Sequence, residues 1–171
     1  MPNWCENEIR FYNIEDKEKF EQAFVRNSED SSDDTIQEIN LNFISKMPDK
    51  ISEDERYKFV EDNWGTKWCP DILQIEDDFI SFNSAWSPPD KAMLKASEIL
   101  GIRIKILYGE TGNSFAGKEV YNCGKIEESI QLDELYDKKQ VEAIEDEELR
   151  EFAEYVWCLT DDDDKEDEED E

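Results

Sequence analysis

Alternation of hydrophobic and polar residues indicates four strands in the first 110 residues. Residues 4–12, WCENEIRFY, and residues 102–110, IRIKILYGE, alternate apolar with polar positions, as half-buried strands do. Residues 71–75 and 79–86 are rich in apolar side chains and are separated by three acidic residues at 76–78. This spacing predicts a hairpin between the second and third strands.

Helical spacing of apolar residues separates these strands. It predicts helices near residues 15–27, 52–65 and 88–100. Ser52 with Glu55 three residues later is a capping box, and Pro88 with Pro89 suits a helix start, where a missing N–H costs nothing. Gly101 suits the end of the third helix. The order strand, helix, connection, strand, strand, helix, strand predicts an α+β ferredoxin-like fold: an antiparallel sheet with helices packed on one face.

The remainder of the chain differs in composition from this predicted domain. Residues 111–132 favour an added hairpin, residues 141–159 favour an acidic C-terminal helix, and residues 160–171 contain no apolar side chain. We therefore expect a ferredoxin-like domain at 1–125, an acidic helical extension packed on it at 126–159, and a disordered acidic tail at 160–171.

Charge is the feature of the composition that bears most on function. The chain has 47 acidic and 19 basic residues, no histidine and a formal net charge of −28. Residues 126–171 carry −18 of this charge, and residues 1–125 carry −10. Such a field repels nucleic acids and anionic membranes and attracts basic surfaces. Direct binding of DNA, RNA or membranes is therefore not expected.

Residues that could hold a metal or cofactor do not occur in a recognisable pattern. The four cysteines are widely spaced without a CxxC pair, so we expect reduced and mostly buried thiols. Asp161, Asp162, Asp163 and Asp164 lack the alternating spacing and turn glycine of a calcium loop. We expect no cofactor. The chain also begins without a signal-peptide pattern and lacks an apolar run of about 18 residues, so we expect a cytoplasmic protein.

Four motifs resemble a known family. MPNWCEN at residues 1–7, NWGTKW at 63–68, SAWSPP at 84–89 and YGETGNSFAG at 108–117 are similar to landmarks of the YubB-type ferredoxin-like family of phages and plasmids. The resemblance covers residues 1 to about 120 and implies a ferredoxin-like core and a mobile-element origin in a bacterial host, but no reaction. Cys69 departs from the acidic residue that usually follows NWGTKW.

The acidic C-terminal segment is the leading candidate for a partner-binding surface. Its carboxylates are Glu142, Glu145, Asp146, Glu147, Glu148, Glu151, Glu154 and Asp161 to Asp164. B-DNA carries about one charge per 1.7 Å of axis, and a helix rises about 1.5 Å per residue, so a densely acidic helix approaches that charge density. We expect a non-enzymatic nucleic-acid mimic that blocks a basic, nucleic-acid-binding groove of a host defence protein, of anti-restriction or anti-CRISPR type. A chaperone of basic proteins, or a segment that only keeps the chain soluble, stays open.

The alternative is a small-ligand or enzymatic site lined by Trp64, Lys67, Trp86 and Glu110. Exposed tryptophans can stack on bases or flat ligands, a lysine can hold an anion, and Glu110 could act as a general base. The competing structural interpretation places the tryptophans at the edge of a small core and Glu110 in a turn.

Overall fold

The computed structural model describes residues 3–28 and 36–158, so the predicted tail at 160–171 lies outside the described residues. The strands are β1 (Trp4–Phe11), β2 (Val25–Asn27), β3 (Gln37–Ile39), β4 (Asp71–Ile75), β5 (Phe79–Ala85), β6 (Arg103–Glu110), β7 (Phe115–Asn122) and β8 (Lys125–Leu132). The helices are α1 (Ile14–Phe24), α2 (Glu53–Asn63), α3 (Asp90–Leu100), α4 (Lys138–Glu142) and α5 (Glu147–Val156).

The eight strands of the described residues form one sheet, in the order β2-β3-β4-β5-β1-β6-β7-β8, and every neighbouring pair is antiparallel. The four central strands, β4-β5-β1-β6, have the order of a ferredoxin-like sheet, with α1 and α3 as the crossover helices. The predicted fold class is confirmed. Two additions extend this sheet: β2 and β3 lie at one edge, and the predicted hairpin β7-β8 lies at the other.

The predicted helix boundaries follow from local side-chain chemistry. Ser52 and Glu55 form the reciprocal capping box that starts α2. Helix α3 begins at Asp90, directly after the two prolines. It ends at Gly101, whose φ of 64° lies in the left-handed region that favours glycine. These local signals set where α2 begins and where α3 begins and ends.

The first hydrophobic core lies between one face of the sheet and helices α1, α2 and α3. The strands contribute Ile9, Ile80, Phe82, Ile104 and Ile106, which are fully buried. Helices α1 and α3 add Phe20, Phe24, Ala92, Met93 and Ala96, and the end of α2 adds Val60. Alternation along each strand sends the intervening side chains to the opposite face of the sheet.

That opposite face carries a second core beneath α4 and α5. Leu107 of β6 and Ala116 of β7 are buried against Leu149, Phe152 and other residues of the C-terminal segment. The predicted single helix over 141–159 is wrong, because the chain forms two helices. Helix α4 starts at Lys138 and stops before Ala143, and Asp146 caps the start of α5 by accepting from the backbone N–H of Leu149.

Residues 126–132 belong to β8, so the segment assigned to the helical extension begins with the last strand of the sheet. The expected burial of the cysteines is correct for Cys5 and wrong for Cys123 and Cys158, which are exposed. Cys123 lies in the tight β7-β8 turn, and Cys158 follows the end of α5, so neither can reach a core. In the described part of the chain, no helix has both the length and the apolarity needed to cross a membrane.

Candidate functional site

Helix α5 is held on the sheet by a continuous apolar face. Leu149 and Ala153 are fully buried, and Phe152 and Val156 are each 6% exposed. Gly109 of β6 lets the helix approach closely, because a Cβ at this position would lie 3.2 to 3.4 Å from atoms of Trp157 and Val156. This packing fixes the orientation of α5 and therefore decides which of its carboxylates face solvent.

Two of the predicted partner-binding carboxylates face the sheet. Glu148 accepts from Lys105 Nζ of β6 at 2.7 Å and from Arg10 Nη1 of β1 at 2.7 Å. Asp146 accepts from Lys118 Nζ of β7, which also lies 2.9 Å from a carboxylate oxygen of Glu128. The basic side chains on this face of the sheet therefore bind the near side of the acidic segment.

The pKa values of these groups show that the pairs are favourable. Partial burial of Glu148 opposes its ionisation, but the Lys105 and Arg10 side chains outweigh this and lower its pKa below the ordinary value. Burial acts in the same direction on Asp146, and hydrogen bonds from Lys118 and the Leu149 backbone lower its pKa. Burial opposes the charge of Lys118, yet Asp146 and Glu128 raise its pKa. All three side chains carry their charges at neutral pH.

The other carboxylates of α4, α5 and their connection face outward. Glu142, Glu145, Glu147 and Glu151 are exposed, and Glu154 is half-buried, 4.0 Å from Arg150. Glu142 lies 3.8 Å from Lys138. We call Glu142, Glu145, Glu147, Glu151 and Glu154 the outer acidic face. Asp161, Asp162, Asp163 and Asp164 lie outside the described residues.

Two residues predicted to bind a partner are therefore structural. The acidic pattern of the sequence groups Asp146 and Glu148 with the partner-binding carboxylates, and the structure shows that they join α5 to the sheet. Sequence reasoning missed their partners Arg10, Lys105 and Lys118. A signal was present for two of them, because Arg10 and Lys105 occupy polar positions of the alternating strands β1 and β6.

The alternative pocket does not assemble as predicted, because two of its four residues are elsewhere. Trp64 is 3% exposed, belongs to the first core and donates its indole N–H to the Ser45 carbonyl at 2.9 Å. Glu110 is 2% exposed and accepts from the backbone N–H groups of Gly112 and Asn113 in the β6-β7 turn. Neither side chain is available to a ligand.

Lys67 and Trp86 do line one open cavity, together with Tyr57, with a volume of about 330 Å³. The Lys67 ammonium lies 5.9 Å from the centroid of the Tyr57 ring and 5.5 Å from that of Trp68. Trp86 is 46% exposed, and its φ of 71° is rare for a residue with a large side chain. These residues form a small aromatic surface beside α2.

The loops that carry this surface are tied together from below. Thr66 Oγ1 donates to the Ala85 carbonyl at 3.0 Å and accepts from the Ala85 N–H at 3.1 Å. The Asn63 amide donates to the Phe59 carbonyl at 3.0 Å. Asn63 and Thr66 are therefore engaged with the backbone and do not complete an anion site around Lys67. Within residues 3–28 and 36–158, no three acidic or cysteine side chains are grouped so as to hold a metal ion.

A family model agrees with this architecture. The family described as "Ferredoxin-like domain in Api92-like protein" matches residues 63–155, a stretch that runs from the end of α2 nearly to the end of α5. It therefore includes most of the segment that the sequence analysis assigned to an extension. No curated protein matches the chain. Among solved structures, protein api92 from Yersinia pseudotuberculosis is similar, with 20% identity and a TM-score of 0.39. That similarity covers 55% of this chain and 35% of the Yersinia chain.

Proposed function

The chain belongs to the family of ferredoxin-like domains found in Api92-like proteins, and we propose that it is a non-enzymatic interaction protein. In this proposal, its outer acidic face occupies a basic, nucleic-acid-binding groove of another protein. It contacts neither nucleic acid nor membrane directly and needs no cofactor. The observation that carries the proposal is the exposure of Glu142, Glu145, Glu147 and Glu151 on α4, α5 and the connection between them, a segment that is packed on the sheet.

Rigid anchoring matters because a fixed array of charges binds with less loss of conformational entropy than a flexible one. Leu149 and Phe152 bury the inner side of α5, and Glu148 is held by Lys105 and Arg10. These contacts place the outer carboxylates without using them. Among the described residues, Glu145, Glu147 and Glu151 form no ion pair, so their charges are available to arginine and lysine side chains of a partner.

The spacing of the outer acidic face matches one nucleic-acid strand better than a duplex. Glu147, Glu151 and Glu154 recur every three to four residues, so they lie on one side of α5 and span roughly 10 Å at about 1.5 Å per residue. One strand of B-DNA has a phosphate per about 3.4 Å of axis and carries about three over that distance. Since Glu148 faces the sheet and Arg150 lies 4.0 Å from Glu154, α5 presents at most the charge density of a single backbone strand.

The resemblance to YubB-type proteins supports a more specific form of the proposal. In that form the chain has a phage or plasmid origin, works in the cytoplasm of a bacterial host, and inhibits a host defence protein such as a restriction or CRISPR nuclease. Such nucleases have basic grooves that bind nucleic-acid backbones, and an acidic protein is drawn to them by long-range electrostatic attraction.

The proposal can be tested by capturing host proteins on the immobilised chain and then adding salt or competing DNA. The immobilised protein is expected to retain basic nucleic-acid-binding proteins from a bacterial lysate at low salt. High salt and added DNA, single-stranded or duplex, are expected to release them. Glu147→Gln with Glu151→Gln should reduce the capture. Glu61→Gln with Asp62→Asn removes two equally exposed charges from α2 and serves as the matched control.

The proposal fails if the captured proteins stay bound when both single-stranded and duplex DNA are added, because a mimic and the nucleic acid must compete for one groove. It also fails if the α2 control loses as much capture as the α5 variant, since net charge alone would then explain the binding. Deletion of the whole C-terminal segment is a poor test, because Val141 and Leu149 are fully buried and the domain needs them to fold.

A second candidate is a small-ligand site at the aromatic surface of Tyr57, Lys67 and Trp86. The cavity that these residues share favours it, although Trp64 and Glu110 take no part. The double variant Lys67→Ala with Trp86→Ala distinguishes the two candidates. Loss of host-protein capture with an unchanged Tm favours a ligand site, and retained capture favours the outer acidic face.

A further inference from the structure

A groove separates α5 from the part of the sheet that it does not cover. Helix α5 packs over β6 and β7, so the same face of β1, β5 and β4 is left open beside it. The groove has a volume of about 330 Å³. Strand side chains form one side, and Glu151, Phe152 and Tyr155 of α5 form the other.

Apolar and aromatic side chains line much of this groove without filling it. Leu73 of β4 is 63% exposed and Tyr155 of α5 is 70% exposed. Phe79 of β5 is half-buried beside them. Exposed apolar side chains that share a groove mark a surface suited to a partner, and a tyrosine on the wall offers a ring face to a flat group or to a cation.

Two carboxylates in the groove have no cationic partner among the described residues. Glu6 of β1 is half-buried, and its burial raises the pKa above the ordinary value. Glu151 of α5 is exposed on the other side. The groove also contains Glu8, but this carboxylate accepts from Arg10, which bonds Glu148 as well. The unpaired charges are therefore those of Glu6 and Glu151, one on each side.

A buried acceptor lies next to Glu6. Asn83 of β5 is directly opposite Glu6 in the sheet register and lines the same groove. Its Oδ1 atom is buried without a hydrogen-bond donor in the described part of the chain. A buried acceptor without a donor is unfavourable. Arg10 also lines the groove, but its guanidinium is engaged by Glu8 and Glu148, so among the described residues it leaves Glu6, Glu151 and the Asn83 oxygen without a cation or donor.

From this arrangement we propose that the groove between α5 and β1-β5 is a docking site for an arginine side chain of the basic partner. A guanidinium group supplies positive charge to Glu6 and Glu151, offers several N–H donors to carboxylate and amide oxygens, and stacks on aromatic rings such as that of Tyr155. Lysine supplies the charge but lacks the planar donor array and the stacking surface. The inference rests on the proposed function for the basic character of the partner, and it adds where the partner inserts and which residue it uses.

Binding of nona-arginine and nona-lysine by calorimetry tests the docking site, because the two peptides carry equal charge. The wild-type chain should bind nona-arginine about threefold to fivefold more tightly than nona-lysine, the ratio given by one stacked guanidinium contact near the surface. Glu6→Gln with Glu151→Gln should remove this preference. Tyr155→Ala should reduce it, and the exposure of Tyr155 means that the variant will fold.

The matched control is Glu145→Gln with Glu147→Gln, which removes two exposed carboxylates that do not line the groove. This variant should weaken the binding of both peptides by the same factor and keep the preference for nona-arginine. Equal affinity of the wild-type chain for the two peptides, or a preference that survives Glu6→Gln with Glu151→Gln, overturns the docking site and leaves the proposed function standing. If neither peptide binds the wild-type chain, the proposed function fails together with it.

Discussion

Substitution of Glu148 tests whether the acidic residues of α5 have two different roles. It joins α5 to two strands by accepting from Lys105 and Arg10, both at 2.7 Å. Glu147, the preceding residue of the same helix, faces solvent and forms no ion pair among the described residues. We expect Glu148→Gln to lower the stability of the fold, and Glu147→Gln to leave stability unchanged while weakening partner binding.

The size of the stability loss in Glu148→Gln follows from the exposure of Glu148 and its partner Lys105. The side chain of Glu148 is 25% exposed and that of Lys105 is 18% exposed, so the pair is shielded from solvent but not fully buried. Hydrogen bonds to charged groups contribute about 1.5–3 kcal/mol each, and exposed pairs contribute less than about 1 kcal/mol. A net loss of about 2 kcal/mol is expected, which corresponds to a Tm about 4–8 °C lower for a chain of this size.

The contribution of Glu148 to stability depends on pH with a definite sign. The pKa of Glu148 is lower in the folded state than its ordinary value, so its ionisation stabilises the fold above that value. This contribution is lost as pH falls through the lowered pKa of the folded state. The Tm difference between the wild-type chain and Glu148→Gln should therefore be full at neutral pH and shrink in acid.

Thermal unfolding by circular dichroism at neutral and acidic pH measures both effects. Equal Tm values for Glu147→Gln and Glu148→Gln at neutral pH would refute the division of α5 into a docked and an outward side. A Tm difference that does not change with pH would show that the effect of Glu148→Gln is not due to loss of its charge.

Four further substitutions test the fold. Trp64→Ala should cost about 3–5 kcal/mol, because Trp64 is 3% exposed, whereas Trp86→Ala should cost far less since Trp86 is 46% exposed; similar Tm values would contradict their different burial. Phe152→Ala should lower the unfolding free energy by about 3–5 kcal/mol in urea titrations if α5 is docked as described, and an unchanged midpoint would argue against that docking. Gly65→Ala should cost more than about 1 kcal/mol, because Gly65 has a φ of 83° and an added Cβ would lie 2.8 Å from the Pro88 carbonyl oxygen; unchanged stability would contradict that backbone geometry.

Local sequence signals predicted the central fold well, because each depends on residues close together in the chain. The capping box of Ser52 and Glu55 started α2 where expected, and Gly101 ended α3. The hairpin of β4 and β5 was also predicted. The break between α4 and α5 was missed, because the apolar periodicity continues through it and only the capping role of Asp146 separates the two helices.

The candidate site was harder to predict, because exposure depends on contacts between distant parts of the chain. Trp64 and Trp86 are equally aromatic in the sequence, yet one fills the core and the other lies on the surface. Glu147 and Glu148 are adjacent and chemically identical, yet only Glu148 faces the sheet. Helical periodicity places Glu148 one turn before the buried Phe152, at the border of the apolar face of α5, but its partners Lys105 and Arg10 come from strands far away in the sequence.

The sequence by itself determined the four central strands, the added hairpin, the helices of the central domain and the concentration of negative charge at the C-terminal end, since alternation, helical periodicity and composition act over a few residues. It did not determine the short edge strands β2 and β3. Only the tertiary structure decided that Arg10 meets Glu148 across 138 positions, and that a groove with two unpaired carboxylates lies beside α5. Both depend on the register of β1 with β6 and on the packing of α5 over the sheet. Those are long-range arrangements, and burial of apolar surface sets them.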